Sequence, residues 1–99
     1  VVVDLRKKSK TFGKTFSTIL SEKNNKSLYI PAGFAHGFCA LNNENYIVYN
    51  CTNYRDAKSE SGIQYDDKNL KIKWPTKKPL VSTKDKKNIS LNEFKKKYL

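Results

Sequence analysis

His36 and Tyr49 are the side chains of this sequence best suited to moving a proton. His36 is the only histidine in the chain, and an imidazole changes charge close to neutral pH. A phenol with its ordinary pKa near ~10 stays protonated at neutral pH and can deliver a proton. The two fall in apolar, aromatic-rich runs, Phe34–Leu41 and Tyr46–Thr52, joined by Asn42-Asn43-Glu44-Asn45. That spacing predicts two strands and a four-residue hairpin loop. If Leu41 pairs with Tyr46, Phe38 faces Tyr49 and His36 faces Cys51. His36 and Tyr49 are then diagonal neighbours on one face, roughly 7–8 Å apart at Cα. Phe34 and Ile47 add apolar wall, and Gly33 and Gly37 keep the flanks of the histidine clear. A slip of one residue would put the pair on opposite faces. The ordinary alternative is a strand histidine and a strand tyrosine that serve packing alone.

Other chemistries find less support. A single histidine, with Cys39 and Cys51 outside any paired CxxC spacing, does not complete a metal-ligand set. Both cysteines fall in strand-like runs and read as two buried thiols in a reducing cytosol. No Gly-rich phosphate loop, nucleophile elbow or Walker-type lysine occurs. Three Asn-x-Ser/Thr triplets, at Asn25, Asn50 and Asn88, read as chance products of an Asn-rich chain without a secretory signal.

The elements that must position these residues are short. Val1–Lys7 is a β-branched run and predicts a strand covered on both faces. Ser9–Gly13 is a turn, Lys14–Ser21 alternates as a strand, Glu22–Lys26 is a polar turn, and Ser27–Pro31 is a short strand ended by its proline. Asp56–Ser61 is a loop. Gly62–Tyr65 and Leu70–Trp74 read as strands around the turn Asp66–Asn69, and Pro75–Pro79 is a further break. Ser90 with Glu93 three residues on is a capping box, and Leu91, Phe94 and Tyr98 share one face of the helix it starts. Short strands without intervening helices predict an all-β chain: an antiparallel sandwich, jelly roll or barrel with one short C-terminal helix.

Composition bounds the rest. With 99 residues one small domain is possible. The net charge is +11, but 18 of the 20 basic residues are lysine and they are scattered. Only Arg6 and Arg55 offer the planar fork favoured by phosphate and base readers. A solvated surface therefore explains the charge better than a nucleic-acid patch, though an anionic small ligand would be attracted. No apolar run reaches the ~18 residues of a membrane span. The chain opens inside an apolar run and contains no methionine, so it reads as a piece of a longer protein.

Several segments in order carry a resemblance: Val2-Val3-Asp4-Leu5-Arg6, Thr11-Phe12-Gly13, Ile30-Pro31-Ala32-Gly33-Phe34-Ala35-His36-Gly37-Phe38, Tyr49-Asn50-Cys51-Thr52-Asn53-Tyr54, Trp74-Pro75 and Ser82-Thr83-Lys84-Asp85. Together they resemble the dTDP-4-dehydrorhamnose 3,5-epimerase family from Val1 to about Asn88. The resemblance implies a partial cupin-type antiparallel jelly roll over residues 1–88, with 89–99 as a C-terminal helix and tail. It implies a cytoplasmic homodimer that takes a dTDP-linked 4-keto-6-deoxyhexose and needs neither cofactor nor metal. In such a substrate the C4 ketone makes the C3 and C5 hydrogens acidic through an enolate. Inversion needs a base on one face, charge at the enolate oxygen and an acid on the other face.

Carried over by motif, Tyr49 is the proton donor and Asp85 the carboxylate that orients the catalytic histidine base. His36, Glu60 and Lys84 match substrate-binding positions. Arg55 stands where the family has an aromatic stacked on thymine, and a guanidinium plane can stack there instead. The resemblance places the histidine base, the enolate-stabilising lysine and a diphosphate-contacting arginine upstream of Val1. The chain by itself would therefore hold part of a site and be inactive. Three alternatives remain open: inversion at one centre (C3 or C5) or isomerisation of a related nucleotide sugar, a basic β-barrel that binds single-stranded nucleic acid on Tyr and Phe platforms, and a non-enzymatic cupin that keeps the fold without the site, for which Arg55 is the only hint.

Overall fold

The computed structural model describes all residues, 1–99. Its centre is a three-stranded antiparallel sheet in the order β2-β1-β3, built from β1 (Val2–Asp4), β2 (Thr15–Phe16) and β3 (Phe34–His36). Val2 pairs with Phe16 on one side and His36 on the other; Val3 pairs with Thr15 and Ala35. A β-branched run suits this central place, since its stiff side chains pack well on a pleated surface. Val3 and Asp4 are buried, while Val2 is half-buried. A single 3-10 turn covers Ala57–Ser59, and two helices follow, α1 (Thr83–Lys86) and α2 (Leu91–Tyr98). No helix is long and apolar enough to cross a membrane. Short antiparallel strands with few helices agree with the all-β class.

Asp4 closes the turn that joins β1 to β2. Its carboxylate accepts from the Arg6 backbone N–H (3.0 Å), Arg6 Nε (2.9 Å) and Nη2 (2.8 Å), Ser9 Oγ (2.5 Å) and Thr11 Oγ1 (2.6 Å). With that many donors a buried carboxylate stays ionised, and the Arg6 bond above all holds its pKa well below the usual range. Arg6 also lies over the Phe34 ring, 4.6 Å from its centroid, and so ties the turn to β3. Gly33 makes room for this: its φ is +88°, and a Cβ there would lie 2.6 Å from Arg6 Cγ.

α2 forms as its capping box predicts. Ser90 Oγ accepts from the Glu93 N–H at 3.2 Å, and Glu93 Oε2 accepts from the Ser90 N–H at 2.7 Å. The Phe94 and Tyr98 rings meet with centroids 4.9 Å apart. Leu91, the first helical residue, is buried with Val3 and Leu70, and Leu5, Phe12, Ala35, Ile63 and Ile72 pack against them. The buried Asp67 carboxylate accepts from the Leu91 N–H at 2.7 Å and from the Asn69 N–H at 2.8 Å, which docks the helix start on the turn before it.

Several expected strands are absent. Ser27–Pro31, Tyr46–Thr52 and Leu70–Trp74 carry no strand, Lys14–Ser21 shortens to β2, and Gly62–Tyr65 reduces to one parallel bridge between Ile63 and Ile89. The expected hairpin does not pair: Phe34–His36 joins β1 instead, and Phe38–Leu41 makes no ladder with Tyr46–Thr52. The loop between them does bend, with Asn45 Nδ2 donating to the Asn42 carbonyl at 2.5 Å. A two-stranded ribbon needs a covered face to offset the entropy of ordering it, and Tyr46 and Val48 are both nearly 90% exposed. The thiols also differ from expectation: Cys51 is exposed and Cys39 only half-buried, because the ribbon that would have buried them is not formed.

Leu91→Ala is expected to destabilise the full-length protein by about 2–4 kcal/mol, since it empties a fully packed position. Ser90→Ala is expected to cost about 1 kcal/mol through loss of the cap. Urea unfolding of both variants measures the two costs.

Candidate active site

The residues expected to carry chemistry sit on four pieces of chain: β3 with His36, the stretch with Tyr49, the 3-10 turn between Arg55 and Glu60, and α1 with Lys84 and Asp85. α1 is one turn long, capped by Ser82, whose Oγ accepts from the Asp85 N–H at 3.1 Å. That cap fixes the backbone from which Lys84 and Asp85 project. The third piece runs from Arg55 to Glu60. Asp56 caps its 3-10 turn by accepting from the Lys58 N–H at 3.1 Å and from Ser59 Oγ. The turn folds Glu60 back towards Arg55. Gly62 then lets the chain press against α1's exit, where a Cβ would lie 2.5 Å from Asn88 Oδ1. Gln64 N–H donates to the Ile89 carbonyl at 2.9 Å just beyond.

This close approach brings three of the expected binding residues together. Arg55 Nε donates to Glu60 Oε1 at 2.5 Å and Nη2 to Oε2 at 3.3 Å. Lys84 Nζ donates to the same Oε2 at 3.0 Å. The Arg55 bonds first, then Lys84, hold the Glu60 carboxyl at about 2, far below its ordinary value. Arg55 is raised in return, mainly by its bonds to Glu60, with a smaller Coulombic contribution from Tyr49. Tyr49 makes no hydrogen bond to Arg55, Glu60 or Lys84. It is 79% exposed.

Asp85 is exposed and lines a hollow of ≈ 270 Å³ with Gln64, Tyr65, Asp66 and Lys86. His36 is exposed on β3 opposite Val2. No hydrogen bond links it to Tyr49 or Asp85; the ladder that would have set His36 beside Tyr49 is the unformed hairpin. A larger hollow of ≈ 430 Å³ lies between the β1–β2 turn and α2, lined by Phe12, Lys14, Leu70 and Lys95 among others. It holds none of the expected site residues. No group of three or more His, Cys, Asp or Glu side chains is gathered as a metal site.

Sequence reasoning passed over Asp4 and Asp67, two buried carboxylates that organise the scaffold. The signal for Asp4 was present: an acid inside an apolar strand, followed by Arg6, Ser9 and Thr11. Glu60 falls in the expected loop Asp56–Ser61, and the fold makes it the meeting point of two cations.

The family model described as dTDP-4-dehydrorhamnose 3,5-epimerase matches residues 1–93. The chain is 48% identical over 85 residues to the dTDP-4-dehydrorhamnose 3,5-epimerase of Shigella flexneri, covering 86% of this chain and 47% of that protein. To the enzyme of the same name from Methanothermobacter thermautotrophicus it is 41% identical over 96 residues, covering 94% of this chain and 52% of that protein. To a dTDP-4-dehydrorhamnose 3-epimerase of Streptomyces niveus it is 38% identical over 93 residues, covering 94% and 45%. The chain thus spans about half the length of these curated relatives. No solved structure matches it.

Because the folded-state pKa of Glu60 lies below its unfolded value, its contribution to stability is present above about pH 4.5. It is lost as pH falls through about 2. Carbon-detected NMR titration of the Glu60 carboxyl should show a midpoint near 2, and Lys84→Ala or Arg55→Ala should move that midpoint upward.

Proposed function

The chain belongs to the dTDP-4-dehydrorhamnose 3,5-epimerase family, and we propose that it forms the downstream part of an active site that inverts C3 and C5 of dTDP-4-dehydro-6-deoxy-D-glucose. The product is dTDP-4-dehydro-L-rhamnose, a precursor for cell-surface polysaccharide. The observation that carries this reading beyond the family match is the Arg55–Glu60–Lys84 cluster. It sets the segment that follows Tyr49 beside the helical turn that bears Asp85.

In this reading a base removes the proton from the carbon beside the C4 ketone, and the electron pair moves onto the ketone oxygen as an enolate. Tyr49 O–H then donates its proton to carbon on the opposite face. Asp85 orients and charges the histidine base, which a segment outside these 99 residues supplies, as the carboxylate of a hydrolase triad does. His36, Glu60, Lys84 and Arg55 bind the nucleotide sugar. The reaction uses no cofactor or metal.

The same reading completes the sheet as a cupin-type jelly roll in a cytoplasmic homodimer. The exposed apolar side chains of Tyr46, Val48 and Leu80 support that completion, because surfaces of that kind are normally covered by further strands. A second reading, inversion at C3 alone, draws support from the name of the Streptomyces niveus relative.

Tyr49→Phe in the full-length protein is expected to lower turnover at least ~100-fold while the fold is retained; unchanged turnover would remove Tyr49 as the acid. In deuterium oxide, label should enter the sugar at both C3 and C5. NMR of the product that finds deuterium at C3 alone assigns the protein to the single-centre reaction.

A further inference from the structure

Trp74 is the only tryptophan of the chain. It is half-buried, yet it packs outside the core of Val3, Leu70 and Leu91, although Ile72 on the same stretch packs against that core. Its Nε1–H donates to the Tyr65 carbonyl at 2.7 Å. Its ring meets the Tyr65 ring edge-on, with centroids 6.3 Å apart. The benzo end of the indole reaches Gly37, where a Cβ would lie 3.9 Å from Cη2.

Both contacts lead to expected site residues. Gly37 follows His36, and its N–H donates to the Val1 carbonyl at 3.0 Å, which holds the end of β3 in register with β1. Tyr65 lines the hollow that contains Asp85, together with Gln64, Asp66 and Lys86. Gln64 N–H donates to the Ile89 carbonyl at 2.9 Å, and Asn88 N–H donates to the Asp85 carbonyl at 3.2 Å. Backbone bonds therefore tie the segment of Tyr65 to the exit of α1, and the indole stands between that segment and β3.

We propose that Trp74 is a positioning residue that spans from the His36 end of β3 to the wall of the Asp85 hollow and fixes the spacing between them. The inference rests on the epimerase reading above and adds what sets two of its residues in relation to each other. An indole suits the task. It is a rigid plate with one N–H, so a single bond and a ring contact fix its two ends. In turnover it acts through Asp85, which must meet the histidine base, and a displacement of about 1 Å at such a contact can cost ~100-fold in rate.

Trp74→Phe in the full-length protein keeps an apolar ring and removes the N–H. It is expected to lower kcat roughly tenfold with little change in KM. A carboxylate held less closely to the base stabilises the imidazolium less, so the acid limb of kcat/KM should move to lower pH. Added to Asp85→Asn, Trp74→Phe should cost little more, because both remove the same contact. A kcat equal to wild type, an unmoved limb or losses that simply multiply overturn the proposal. With Trp74 in place, Asp85→Asn should shift the indole N–H signal in proton–nitrogen NMR, and an unmoved signal overturns it as well. Carbon-detected NMR separates this proposal from the epimerase reading. Trp74→Phe should shift the Asp85 carboxyl and His36 ring signals whether or not the protein turns over a nucleotide sugar. An inert wild type that shows both shifts keeps the positioning role and loses the reaction. An active protein in which neither signal moves loses the positioning role alone.

Discussion

Placement of β1 between β2 and β3 is the constraint on which the remaining structure depends. Three residues of one strand satisfy backbone groups on both sides and carry Val3 into the small core. The strand's other buried side chain is charged, and Asp4 is tolerated there because its oxygens are filled by Arg6, Ser9 and Thr11. The Asp4 network shapes the turn into β2, and Arg6, lying on Phe34, fixes the entry to β3. Loss of the carboxylate would leave Arg6 without its anchor and the turn without its centre.

The chain carries 20 basic residues against nine acidic ones. Scarcity makes the acids architectural. Asp4 organises a turn, Asp56 caps the 3-10 turn, Asp67 docks α2, Glu93 closes the capping box and Glu60 joins two distant cations. Most lysines, by contrast, stand at the surface without an ion-pair partner, since only three ion pairs form in the whole chain. Two of the acids gather cations, Asp4 with Arg6 and Glu60 with Arg55 and Lys84, and the second of these gives the candidate site its geometry.

Features set by local sequence were the legible ones. The Ser90–Glu93 box and the face of Leu91, Phe94 and Tyr98 predict α2 because capping and helical spacing act within one or two turns. The β-branched opening predicts β1, and the Asn-rich tetrapeptide at 42–45 predicts a bend. Pairing was not legible in the same way. The alternation in Phe34–Leu41 is compatible with a partner at Tyr46–Thr52 or at β1, and burial decides between them. β1 offers Val3 and the core, while the ribbon finds no cover. The expected site residues come one by one from motifs, whereas the convergence of Arg55, Glu60 and Lys84 depends on the contact at Gly62 and Asn88, which no local pattern encodes.

The antiparallel match of Val2 with His36 has a consequence for how the molecule assembles. Joining those strands closes a loop that contains all of β2 and the long polar stretch after it. The entropy of closing such a loop grows as roughly (3/2)RT ln n, and native contacts repay it only afterwards. α2 needs no such closure, since its cap and first turn are neighbours in the chain. At eight residues α2 is nevertheless too short to persist alone, so it is held only when Leu91 meets Val3 and Leu70, and helix and sheet form together.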